Sequence, residues 1–266
     1  LTGRKRELWL LPAIASDMST VPSIQMDDRM LRGGLPPFLL SERVNDKDYL
    51  EWVESYWAKD VQELFVIEKR ASFMKFIEIL FRQSGDLFEA QALAAPCEIS
   101  RQTIFNYLEI LEITHLASVI RPFSDGGSSE IKSQPKIYGF DTGFVNFFRG
   151  VATLGNEDRG NLLEHLALAE LQAIFLRNEI FYWRDKQRHE LDFVIKKSRG
   201  RKFTAIECKS KLSAFDASRG LKSFRARYPE GKNILVTLDQ TEPETRVMDG
   251  MEIIVTGLAD LSMLLR

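Results

Sequence analysis

AIECKSK, residues 205–211, sets two opposite charges inside an apolar run. Phe203, Ala205, Ile206 and Cys208 give the pattern of a core strand, and turn-prone residues lie on both sides. Strand side chains alternate between faces, so Glu207 and Lys209 point the same way. A carboxylate or an ammonium in a core is costly unless it is paired or meets an ion. What surrounds this strand therefore decides both the fold and the chemistry.

Its neighbours read as an α/β unit with a mixed sheet. Strands are predicted at EIFYWRD (179–185), HELDFVIKK (189–197), NILVTL (233–238) and MEIIVTG (251–257), with helices at 160–177 and 213–228 and a helical tail. Three further ionisable groups fall at core-like places. Asp192 lies between Leu191 and the apolar run Phe193–Ile195. Glu164 flanks the apolar face of the first helix, three and seven residues before Ala167 and Leu171. Glu190 shares the strand face of Asp192 and is another possible oxygen ligand, and Glu170 competes as a partner for Lys209.

The spacing D-x(14)-E-x-K, Asp192 to Lys209, has a chemical reading. Asp192 and Glu207 from adjacent strands would bind one hard divalent cation, Mg²⁺ or Mn²⁺, through oxygen. The metal would activate a bound water for attack on a phosphodiester. Lys209 would orient that water or offset the developing charge, and Glu164 would hold a metal-bound water. A buried Glu207–Lys209 ion pair with Asp192 at a strand edge gives the same sequence pattern.

Upstream, residues 1–45 are expected to be irregular, with GGLPP (33–37) interrupting any element. Residues 46–70 read as a helix with Leu50, Val53, Trp57, Val61, Leu64 and Phe65 at helical spacing, capped by Asp46 or Asp48. A helix with Phe73, Phe76, Ile77 and Leu80, a short one with Phe88 and Leu93, and a third capped by Ser100 follow. LASVIRPF (116–123) and PKIYGFD (135–141) then make two strands. Three helices and a hairpin form the winged-helix pattern, a helix-turn-helix variant. Its third helix offers Arg101, Gln102, Phe105 and Asn106 to a major groove. Arg121, Lys132 and Lys136 on the wing would meet phosphates.

The composition is that of a soluble globular protein: 44% apolar, 28% charged and a formal net charge of −2. The charge is uneven. Residues 179–232 carry 15 Lys/Arg against 7 Asp/Glu, so the basic block favours an anionic partner such as DNA or is a Lys-rich solvated face. No apolar run reaches membrane-spanning length and no secretory segment stands out, so a cytoplasmic location without membrane contact is expected. The two cysteines, Cys97 and Cys208, suggest neither a metal pair nor a disulfide framework. His115, His165 and His189 have no companions at metal spacing.

LLEHLALAEL, FYWRD…HELDFVI and AIECKS resemble the PD-(D/E)XK nuclease-like domain at the C-terminus of a family of prokaryotic AAA+-type ATPases. GGLPPFLL, YWAKDV, SRQTIFNYLEILEITHLASVIRPF and IYGFDTG are similar to that family's segment after its ATPase core, winged helix included, and LTGR…LLP to the end of the core itself. The resemblance implies three parts: a remnant or linker over 1–45, a helical and winged-helix domain over 46–150, and a restriction-endonuclease-like domain over 151–266. It implies DNA-directed, divalent-metal-dependent nuclease-like activity carried by Glu164, Asp192, Glu207 and Lys209, with a protein partner also open. The alternative is an inactive nuclease fold that binds nucleic acid or protein and regulates an ATPase motor. No G-x-x-x-x-G-K-[ST] loop occurs: Gly231-Lys232 is followed by Asn233 and has Ala226 where the first Gly belongs. ATP binding is therefore expected only with an upstream core, and the start without methionine fits a piece of a longer chain.

Overall fold

The computed structural model describes residues 10–18, 20–21, 24–41, 43–125, 134–197, 202–215, 219–240 and 242–266. Before residue 45, where irregular chain is expected, lie three short helices: α1 (Ala15–Met18), α2 (Met26–Arg32) and α3 (Pro36–Leu39). The residues that argue against regular structure here mark helix ends instead. Gly33, at φ +88°, closes α2, and the prolines open α3, where a missing N–H is no loss. A Cβ on Gly33 would lie 1.9 Å from Asp141 Oδ1, so glycine also admits a close approach.

Helix α4 (Asp46–Tyr56) is capped by Asn45 and not by Asp46 or Asp48. The Asn45 side chain accepts from Lys47 N at 3.0 Å, and Asp48 accepts from Asn45 N at 2.9 Å. The helix does not run to residue 70. It passes into a π turn at Trp57–Val61, and Leu50 and Leu64, assigned by spacing to the apolar stripe, are 52% and 70% exposed. Helices α5 (Arg70–Arg82), α6 (Ala90–Ala94) and α7 (Arg101–Ile113) follow, with Phe88 before α6 and not on it, and Ser100 caps α7 by accepting from Thr103 N at 3.1 Å. Strands β1 (Ala117–Pro122) and β2 (Lys136–Gly139) pair antiparallel, and α8 (Thr142–Arg149) follows with Phe144 and Val145 in the core.

The remaining elements are α9 (Asn156–Gln172), β3 (Ile180–Arg184), β4 (Glu190–Ile195), β5 (Thr204–Lys209), α10 (Arg219–Arg227), β6 (Asn233–Thr237), β7 (Glu244–Met248), β8 (Met251–Thr256) and α11 (Leu258–Leu265). Strand β7 has no apolar alternation to reveal it, because it is an exposed edge; Asp249-Gly250, both at positive φ, turns it into β8. All strands join one mixed eight-stranded sheet in the order β2-β1-β3-β4-β5-β6-β8-β7. β1 meets β3 in parallel through Arg121–Phe181 and Pro122–Tyr182, so one sheet carries strands from both sides of residue 150.

Each sheet face is buried by helices. Tyr182, Phe193, Ile206, Cys208 and Val236 belong to the core that holds α9, α11 and α5–α7. Trp183, Val194, Ala205, Leu235 and Val255 pack on the other side with Leu221 and Phe224 of α10. Among the described residues, no helix is long and apolar enough to cross a membrane.

Candidate functional site

A change of register between β3 and β4 builds the site. Phe181 pairs with Val194 but Trp183 pairs with Leu191, so β4 spends one residue more than β3 over that span. Leu191 and Val194 both face the α10 side, and the surplus falls at Asp192–Phe193. β4 also stops pairing with β5 beyond Phe193–Ile206. Where the strands part, the Asp192 carboxylate accepts from Cys208 N at 2.7 Å. Asp192 is 8% exposed.

Alternation on β5 sets Glu207 and Lys209 on the face of Ala205, opposite Cys208. The pair is real: Lys209 Nζ lies 2.7 Å from Glu207 Oε1. Lys209 does not reach Glu170, which instead accepts from Ala15 N at 2.5 Å, close to α1. Glu207 Oε2 is buried without a hydrogen-bond partner. Burial first and the Asp192 charge second push the Glu207 carboxyl up to about 8, with Lys209 opposing them. Burial works against the Lys209 charge, but Glu207 and Asp192 hold its ammonium above the ordinary lysine range.

Glu164 comes from α9, on the other face. Its Oε2 accepts from Tyr138 Oη at 3.0 Å and lies 3.7 Å from Lys136 Nζ. Burial, then Asp192, push it up to about 7, against Lys136 and Tyr138. Glu190 at the start of β4 completes this side, with its Oε1 2.5 Å from Lys136 Nζ and its Oε2 3.6 Å from Arg184 Nε. Asp192 thus acts on Glu164 from one face and on Glu207 from the other.

Two of these groups belong to β2. Tyr138 escapes sequence reasoning, and Lys136 is assigned there to a phosphate-binding wing. The structure corrects that placement: Lys136 is 5% exposed and turned into the carboxylates. The available signal was the spacing of Lys136 and Tyr138, one strand face carrying a cation and a hydroxyl. Gly85 and Phe88 bond the outer side of β2 through Ile137 O and Pro135 O, so this edge strand is buried all along.

The residues do not fit a resident Mg²⁺ or Mn²⁺ as they stand. A hard cation needs several oxygens converging on one point. Among the described residues, no three His, Cys, Asp or Glu side chains are grouped to hold one. Glu164 and Glu190 converge on an ammonium, and Glu207 on another.

The expected DNA-reading face of α7 is exposed. Arg101 lies over the Phe105 ring, 5.3 Å from its centre, and Gln102 Nε2 donates to Asn106 Oδ1 at 3.1 Å. Arg121 is largely exposed and lies 3.5 Å from Glu112. Lys132 falls outside the described residues. Within the basic block, Lys186, Arg188, Lys202, Lys211 and Arg219 are exposed. Arg225 is not part of that surface: it is buried and ties Asn233 Oδ1 to the carbonyls of Phe203, Tyr228, Glu230 and Lys232.

Residues 24–155 match a family described as a domain of unknown function, DUF8612. Residues 159–255 match a second, DUF4143, with the same description. The chain is 28% identical over 211 residues to uncharacterized proteins of Mycobacterium tuberculosis and Mycobacterium bovis, 76% of this chain and 47% of theirs. It is 26% identical over 171 residues to an uncharacterized protein of Methanocaldococcus jannaschii, 61% of this chain and 37% of that one. The chain thus spans about half the length of the curated relatives it matches.

Proposed function

We propose that this chain is a DNA-binding part of a longer, ATPase-type protein, in which a PD-(D/E)XK nuclease-like fold serves as a binding and regulatory module. In this reading α5–α7 with β1–β2 act as a winged helix that meets DNA through α7. The basic surface of residues 179–232 supplies phosphate contacts. One observation carries the choice of module over hydrolase. Glu164 and Glu190 share the buried ammonium of Lys136, so two of the carboxylates are already neutralised from within the fold.

The hydrolase reading is favoured by the buried, partnerless Glu207 Oε2, an oxygen suited to a cation. Anisotropy of a labelled duplex across a salt series separates the possibilities, run beside cleavage assays on single- and double-stranded DNA with Mg²⁺ and Mn²⁺. Binding that weakens steeply with salt, without cleavage, is the expected result. Cleavage lost in Asp192→Ala and Lys209→Ala would replace the module reading by the hydrolase. Absence of binding at low salt would remove DNA as the partner.

A further inference from the structure

We propose that a recess at the far end of the sheet from Glu207 binds a small organic phosphate, with three lysines on the phosphate and an apolar floor under the organic part. The recess has a volume of ≈ 430 Å³, within the range of roughly 300–1,000 Å³ that small-molecule sites occupy. Its floor is Phe175, Ile195 and Leu265, all buried. Its rim is Lys197, Lys202 and Lys232, all exposed, beside the half-buried Thr204. Among the described residues no Asp or Glu lines it. Strand pairing brings these groups together. Ile195 at the end of β4 lies opposite Thr204 at the start of β5, and Ala205 N donates to Lys232 O at 2.9 Å just before β6. Ala205 faces α10, so Thr204 faces the side of α9 and α11. Asp192 and Glu207 lie toward the opposite end of the same strands, which makes the recess a separate site.

Two of the ammoniums are held in position. Lys197 Nζ donates to Leu265 O at 3.4 Å and lies 5.4 Å from the centre of the Phe175 ring, and Lys232 Nζ donates to Leu264 O at 3.1 Å. Capping the last carbonyls of α11 is the structural use of these two lysines. It leaves two donors on each ammonium, with Lys202 exposed beside them. Like charges gathered on one rim repel one another, and a phosphate monoester, with a charge of about −2 and three acceptor oxygens, offsets that repulsion. The floor argues for a small molecule rather than a duplex. A nucleic-acid backbone presents phosphate and sugar to a protein surface, whereas three apolar side chains below the lysines suit a compact organic group attached to the phosphate.

The test is phosphorus NMR titration of the whole chain with phenyl phosphate and, separately, with inorganic phosphate, in the absence of DNA, so that its outcome is independent of the nucleic-acid reading. Phenyl phosphate should bind at least about threefold more tightly than inorganic phosphate, because its ring reaches the floor. Lys202 is exposed, so Lys202→Ala should keep the wild-type Tm, and it should weaken phenyl phosphate binding about tenfold. Lys59→Ala, which removes the same charge from the exposed π turn, should change binding by no more than about twofold. Equal affinity for the two phosphates overturns the inference, as does an affinity for phenyl phosphate that Lys202→Ala leaves unchanged. Absence of phenyl phosphate binding overturns it too, and if Lys202→Ala then weakens a duplex, the three lysines belong to the DNA surface instead.

Discussion

Two buried charged networks in this protein are organised in opposite ways. Around Arg29 and Asp141, both 2% exposed, the charges are answered by backbone groups and the Thr142 hydroxyl. Arg29 donates to Ala13 O at 2.6 Å and to Thr142 Oγ1 at 2.9 Å; Asp141 accepts from Gly34 N at 2.6 Å and Gly143 N at 2.9 Å. That network pins GGLPP against DTG and needs nothing from outside. Around Asp192 the carboxylates crowd one another, two are pushed far above the ordinary range, and one oxygen is unanswered. The first is architecture. The second keeps an arrangement that costs stability, which makes it the candidate site.

Breaking the satisfied network should have the largest effect. Asp141→Ala strands the buried Arg29 guanidinium and frees two N–H groups, so urea unfolding should show a loss of about 3–5 kcal/mol. A loss below about 1 kcal/mol would show that the network is not the anchor of residues 10–41.

Glu170 lies beside the first network, joined to Ala15 N but with a partnerless Oε2. Burial pushes its carboxyl from the usual 4.5 up to about 7, with the Ala15 bond opposing. Between those values the folded state keeps a proton that the unfolded chain has released. Stability from this group is therefore full below about pH 4.5 and is lost as pH rises through about 7. Glu170→Gln keeps the acceptor for Ala15 and should flatten that slope. Denaturant titrations should find it more stable than wild type at pH 8 by on the order of 2 kcal/mol, and equal or less stable at pH 4.

At the unsatisfied site the sign reverses relative to Asp141. Glu207→Gln removes a buried charge next to Asp192 while an oxygen can still accept from Lys209, so Tm should rise at pH 8.5, where the wild-type carboxyl is mostly ionised, by an amount worth about 1 kcal/mol. A marked fall in Tm would make the Glu207–Lys209 pair structural, and the contrast with Asp141 would disappear.

The sequence showed the parts of this site more readily than their arrangement. Spacing singled out Asp192, Glu207, Lys209 and Glu164, because a charge in an apolar run is visible without coordinates. The extra residue in β4 was not visible: bulges leave the composition of a strand unchanged and show only against its partner. Lys136 reads as a phosphate contact for a related reason, since lysine beside a turn-rich loop counts as solvated until tertiary packing buries it. Leu50 and Leu64 failed in the opposite direction, being apolar at helical spacing yet exposed once the chain leaves α4 through the π turn. Glycine and proline in GGLPP read as breakers, yet Gly33 closes α2 against Asp141 and the prolines start α3.

The smallest effect on stability is expected where both networks are distant, on the exposed face of α7. Arg101→Ala and Asn106→Ala remove an exposed cation over Phe105 and one end of an exposed side-chain pair, so each should change stability by no more than about 0.5 kcal/mol. Their weight should fall on binding instead. If Arg101 contacts phosphate, Arg101→Ala weakens all duplexes alike and lowers the salt slope by about one; if it reads a base, discrimination between sequences falls while the slope stays. Unchanged affinity and slope in both variants would remove α7 from the interface and leave the basic block of residues 179–232 as the surface to test. Binding lost without stability on α7, and stability lost at Asp141, would separate the surface that acts from the network that holds.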